Sequence, residues 1–143
     1  MASTEFDPRS LIASSRIGVL ATLRASGMPQ LSPVTTVYDA DDDRILVSMT
    51  AGRAKEANLR RDPRAAIEFT SADGYTWATA EGTATLIGPS TVPDGPEVDA
   101  LVDYYRSGAG EHPDWREYRE VMVADRRVLL VLQITHAYGA KLR

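Results

Sequence analysis

The feature that most restricts this chain is the rhythm of its turn signals. Apolar and β-branched runs follow one another, divided by short stretches rich in Gly, Pro and Asp that suit hairpins. Residues 17–23 read as a buried strand, and residues 24–29 supply a turn. Residues 30–38 read as a second strand, in which Pro33 cannot donate to a ladder; that places Pro33 at an edge, at a bulge or beside a ligand. Residues 44–49 and 65–70 are the third and fourth strands. Residues 75–87 form a long fifth one, with Tyr75, Trp77, Thr79, Glu81 and Thr83 on one face by period-two alternation and Gly82 marking a bulge or a close backbone approach. Residues 127–138 close the chain as a sixth strand.

Helices fall between these runs. Asp7 and Pro8 form an N-cap and first-turn proline for a short helix reaching about Ser14. Residues 50–61 read as a turn entering a helix that Asp62-Pro63 stops. Residues 97–106 carry the apolar stripe Val98, Leu101, Val102 and Tyr105, and another helix starts near Asp114 with Trp115, Tyr118 and Met122 at helical spacing. The sum is an α+β, mainly β arrangement: about six strands in a Greek-key or meander barrel with three or four short helices attached. No repeat or boundary divides residues 1–143, which are expected to form a single domain.

Composition narrows the function classes. An apolar share of 43% supplies a core without staples. The absence of cysteine removes disulfides, thiolate zinc sites, iron–sulfur clusters and a thiol nucleophile. The first fifteen residues lack the basic-then-apolar pattern of a signal peptide, and no run nears the roughly 18 apolar residues of a membrane span, so a cytoplasmic location is expected. A net charge of −4 argues against nucleic acid as a partner. The cluster Arg60-Arg61-Asp62-Pro63-Arg64, broken by an acid and a proline, reads as a solvated helix end, and the acidic residues 39–43 as a hairpin loop without calcium-loop spacing.

The chemistry-bearing stretch is the junction between the third strand and its helix. A helix amino terminus attracts anions; Ser48 and Thr50 add hydroxyls, Gly52 admits a ligand to the backbone, and Arg53 and Lys55 add two cations. Residue chemistry leaves two readings open, a phosphate socket or an ordinary capped surface helix. Walker spacing is absent, and Gly108 and Gly110 do not follow a strand as a dinucleotide fingerprint requires. His112 and His136 lack partners at metal-ligand spacing, so no metal site is expected, and no nucleophile elbow is present. Tyr75 and Trp77 suit either a stacking wall for a planar ring or the commoner packing of a barrel or dimer interface.

Several segments also occur in the order of a known family. They are Ile17-Gly18-Val19-Leu20-Ala21-Thr22, Gly27-Met28-Pro29-Gln30-Leu31-Ser32, Arg53-Ala54-Lys55, residues 58–64, Ala80-Glu81-Gly82-Thr83-Ala84 and His136-Ala137-Tyr138-Gly139. On these the chain resembles the pyridoxamine 5′-phosphate oxidase-like split β-barrel proteins, in particular the actinobacterial branch that uses the deazaflavin coenzyme F420. The resemblance implies a six-stranded split barrel that forms a homodimer, with cofactor sites in clefts between subunits. It implies that Ser48, Thr50, Arg53, Ala54 and Lys55 hold phosphate with Asn58 nearby. Gln30, Ser32, Val34, Val47 and Met49 would line the ring and its ribityl chain, and Tyr75 and Trp77 would come from the partner. The chain lacks the C-terminal extension of true pyridoxamine phosphate oxidases, which argues against vitamin B6 as substrate, and Pro33 stands in the implied ring wall.

The implied reaction is hydride transfer from reduced F420 to an electron-poor small-molecule acceptor: an activated C=C, a C=N or a quinone-like group. Tyr75, Tyr138 or solvent would supply the proton. Rival readings exchange F420 for FMN, make the protein a non-enzymatic carrier, store or sensor of the cofactor, or place a heme or other tetrapyrrole on His136 as axial ligand.

Overall fold

A computed structural model describes residues 6–143; residues 1–5, part of the segment on which the signal-peptide reading rests, lie outside the described residues. Helix α1 (Pro8–Ser14) opens as its sequence dictates, with the Asp7 carboxylate accepting the Arg9 N–H at 3.0 Å and Pro8 in the first turn. The strands are β1 (Ile17–Leu23), β2 (Pro29–Thr35), β3 (Val37–Asp39), β4 (Arg44–Thr50), β5 (Arg64–Thr70), β6 (Thr76–Ile87) and β7 (Arg127–Lys141). Helix α2 (Ala54–Arg61) joins β4 to β5, and α3 (Pro96–Ala109) and α4 (Trp115–Ala124) join β6 to β7. Helix α3 extends past the expected 97–106 at both ends: Pro96 fits the first turn, and Gly110, at φ 80°, stops it. No helix among the described residues is long and apolar enough to cross a membrane.

All seven strands form one antiparallel sheet in the order β2-β1-β5-β6-β7-β4-β3. The count is seven rather than the six expected, because residues 30–38 do not make one strand. β2 pairs with β1 as far as Thr35↔Ile17, whereas β3 pairs with β4 from Val37↔Leu46. Between them Thr36 is buried, and its N–H donates to the Arg16 carbonyl at 2.8 Å. The two edges of the sheet are therefore neighbours in sequence with one residue between them, so the sheet must curl until its edges meet. That is a split barrel.

One face of the sheet fills the barrel with Leu20, Ile45, Val47, Ile67, Phe69, Leu130 and their neighbours. Each such side chain removed from water contributes about 1.5–3 kcal/mol. Along β4 the alternate positions point the other way, and Leu46, with Leu129 of β7, packs beneath Val98, Leu101, Val102 and Tyr118 of α3 and α4. Gly82 sits at a bulge: Glu81 pairs with His136 and Gly82 with Ile134, leaving Thr135 of β7 extra. A Cβ at Gly82 would lie 1.9 Å from the Gln133 carbonyl oxygen, so the close approach admits only glycine. The extra residue reverses the alternation of β7. Val128, Leu130, Leu132 and Ile134 point inward before it; after it Ala137 packs on the core, and His136 and Tyr138 turn outward.

Candidate functional site

The split itself makes the site. After Leu46, β4 runs on to Thr50 with β7 on one side and no strand on the other, because the chain preceding Val37 has swung across to β1. A wedge-shaped cavity of about 330 Å³ remains between residues 33–35 of β2 and residues 48–50 of β4, with Arg53, Lys55 and Arg127 around it. Alternation decides which parts of β4 are polar here. Val47 and Met49 are buried in the barrel core, while Ser48 and Thr50 lie on the opposite face, paired in register with Leu129 and Arg127 of β7. Met49 still borders the wedge; Val47 does not, and its side chain is fully enclosed in the core.

Helix α2 begins beside this opening with Arg53 as its N-cap and no side-chain cap. Glu56 reaches back to accept the Gly52 N–H at 2.7 Å, a contact that with Arg60 holds its carboxyl below the usual range. That N–H is thereby committed, and Gly52, at φ 85°, serves the turn rather than a ligand. The N–H groups of Ala54 and Lys55, first in the helix, have no intrahelical acceptor. Among the described residues neither Arg53, Lys55 nor Arg127 has a carboxylate within 4.0 Å, whereas Arg9, Arg44, Arg60, Arg64, Arg106, Arg116 and Arg119 are each ion-paired. Three cations without counter-ions thus face one cavity of a chain whose net charge is −4. Tyr104 of α3 does not line the wedge; its hydroxyl donates to the carbonyl of Thr35, a residue that does, at 3.5 Å. Burial raises the Tyr104 pKa, and a hydrogen bond with the Ser48 backbone and the charge of Arg127 partly oppose that.

The remaining expected residues are divided. Gln30, Ser32 and Val34 alternate along the less exposed side of β2; of these, Val34 borders the wedge. Gln30 accepts from the Thr22 hydroxyl at 3.3 Å, and Asn58 donates to that hydroxyl at 3.0 Å, so both are engaged in a link between β2, β1 and α2. The Ser32 hydroxyl is buried without a partner. Ala54 is exposed beside the opening.

Tyr75 precedes β6 rather than joining it, and neither it nor Trp77 lines the wedge of its own chain. Trp77 belongs to an aromatic patch on the outer face, where it meets Tyr138 edge-on at 5.7 Å and His136 stacks on Tyr138 at 5.3 Å. The Arg143 guanidinium lies 4.6 Å over the Tyr75 ring. Among the described residues no group of three or more His, Asp and Glu is placed to hold a metal ion. Sequence reasoning missed Arg127. The only local trace of Arg127 is a charged residue immediately ahead of the closing apolar run.

This architecture has known counterparts. The conserved hypothetical protein Rv2991 from Mycobacterium tuberculosis superposes with a TM-score of 0.73 at 25% identity, covering 100% of this chain and 86% of that one. An F420 reductase superposes at 0.64 with 24% identity, covering 94% and 98%. The heme storage protein HutZ from Vibrio cholerae does so at 0.66 with 15% identity, covering 91% and 89%. At such identities the last two show the shared fold alone. The family model for pyridoxamine 5′-phosphate oxidase matches residues 8–140. That match spans nearly the whole chain, including every strand of the curled sheet, and the chain belongs to the pyridoxamine 5′-phosphate oxidase family.

Proposed function

We propose that this protein is an F420-dependent oxidoreductase whose wedge holds the cofactor phosphate. The observation that carries the reading is the set of unpaired cations and hydroxyls at the free edge of β4: Arg53, Lys55, Ser48 and Thr50 around one cavity. Such groups suit a phosphate ester, since arginine donates in a fork, lysine supplies a compact charge, and hydroxyls and free helix N–H groups add donors. When bound, F420 in its reduced form supplies a hydride, which with one proton saturates an electron-poor C=C, C=N or quinone-like acceptor. The chain's own residues do the rest. Arg53 and Lys55 anchor the phosphate, while Pro33, Val34 and Met49 offer an apolar wall that favours a flat ring and keeps water from it. Tyr75 and Tyr138, the candidate proton donors, do not line the wedge of their own chain and reach it only from a second subunit.

A homodimer fits the outer face of the sheet. Its registers align the rows Pro33–Val19–Glu68–Thr79–Tyr138 and Leu31–Ala21–Ala66–Glu81–His136 across five strands. On this face Ile17 (65% exposed), Val19 and Leu31 (62% exposed) form an apolar cluster on β1 and β2, of the kind a second copy covers, with Glu68 and Glu81 making the rest of the rows polar.

Titration with F420 and, separately, with FMN, followed by cofactor fluorescence, tests the reading. Saturable F420 binding at one site per subunit, weakened at least roughly tenfold by Arg53→Ala with Lys55→Ala, is expected. Wild-type affinity in that double variant would overturn the phosphate assignment, and a preference for FMN would move the protein to flavin chemistry. Given F420 binding, turnover across a panel of acceptors separates a reductase from a carrier.

A further inference from the structure

Among the described residues lining the wedge, Arg127 alone carries a buried side-chain polar atom with no hydrogen-bond partner. Its Nε is buried and has no hydrogen-bond partner, although the residue as a whole is only part-buried and lines the cavity. A buried donor on a charged group is costly to leave unpaired, more so than a neutral one. The fold holds it there. Arg127 opens β7 opposite Thr50, on the same face as Ser48 and Thr50, and the Arg126 carbonyl accepts the Ala51 N–H at 2.9 Å, fixing the corner. No carboxylate lies within 4.0 Å of it among the described residues.

We infer that Arg127 is a third anion-holding residue of the wedge. Its guanidinium receives the ligand's phosphate from the sheet side while Arg53 and Lys55 receive it from the helix side. The cofactor reading above supplies the ligand's name, but the anion site stands apart from it. Three positive charges around one opening favour a ligand group with more than one negative charge, such as a phosphate monoester or a diphosphate, over a lone carboxylate.

The test uses the whole protein and two variants, Arg127→Gln and Arg127→Lys, with pyrophosphate, FMN, riboflavin and F420 as probes. Melting temperature is measured with and without pyrophosphate, and cofactor affinity by fluorescence. Wild type is expected to be stabilised by pyrophosphate, and R127Q to lose that stabilisation. R127Q should also bind the phosphorylated cofactor about tenfold to a hundredfold more weakly, with riboflavin affinity unchanged. Ligand-free R127Q should melt no lower than wild type, since the substitution removes a stranded donor; this separates a binding role from a structural one. R127K should recover part of the affinity, because it restores the charge without the fork. A R127Q protein that keeps wild-type response to pyrophosphate and to the cofactor overturns the proposal. Wild type that responds to pyrophosphate but binds neither F420 nor FMN ends the cofactor reading and leaves Arg127 in place. Wild type that responds to none of the probes overturns both.

Discussion

Asp43 holds a backbone conformation, φ 52°, that few side chains other than glycine tolerate, and its carboxylate gathers three donors. Arg9 Nε and Nη2 reach it at 2.9 and 2.7 Å, and the Tyr38 hydroxyl at 2.7 Å. The cluster ties α1 to the hairpin between β3 and β4. The hydrogen bond from Arg9 holds the Asp43 carboxyl below its ordinary value despite partial burial. A depressed folded-state pKa contributes stability above the unfolded value of about 3.9 and loses it as pH falls through the folded value. Asp43→Asn keeps a residue that accepts positive φ and removes only the charge. It should cost about 1 kcal/mol or less at neutral pH, because the pair is more than a third exposed and screened. The acid-unfolding curve of the variant should be flatter below about pH 4; an unchanged acid slope would show that this pair is not part of the acid response.

Elements were legible where the residues that define them are local. Caps, turns and apolar stripes placed α1, α4 and most strands, and Gly82 announced its bulge. The break at Thr36 was not legible, since residues 30–38 keep a strand-like pattern and the change of partner depends on β1 and β4, which lie elsewhere in the chain. The same reason hid Arg127: it joins Arg53 and Lys55 only because β7 pairs with β4. Strand parity would have sent Val47 inward, whereas the family pattern put it at the ring. At this scale Gly82→Ala is the decisive substitution. Its Cβ has no room against the Gln133 carbonyl, and the variant should lose about 3 kcal/mol in chemical denaturation. A loss below about 1 kcal/mol would mean that the bulge relaxes freely.

The whole molecule divides its surface by chemistry, with unpaired cations around the wedge and an exposed apolar cluster of Ile17, Val19 and Leu31 on the outer sheet face. If a second copy covers that cluster, Leu31→Asp should turn a species of twice the chain mass into a single chain in light scattering, with the barrel's melting temperature little changed because Leu31 is 62% exposed. Cofactor affinity should fall with it, since Tyr75 and Trp77 would no longer be brought to the wedge. A variant that stays at twice the chain mass would clear this face of the role. Joining the two sheet edges through Thr36 has a different consequence, for self-association into fibrils. One edge is interrupted by Pro33, and the other is only three residues long. A stray strand from another molecule therefore finds no long ladder to extend, on the principle by which natural sheets blunt their margins. If copies of this chain meet face to face they can stop at two, because the edge-to-edge route to endless stacking is closed by the bend that opens the wedge.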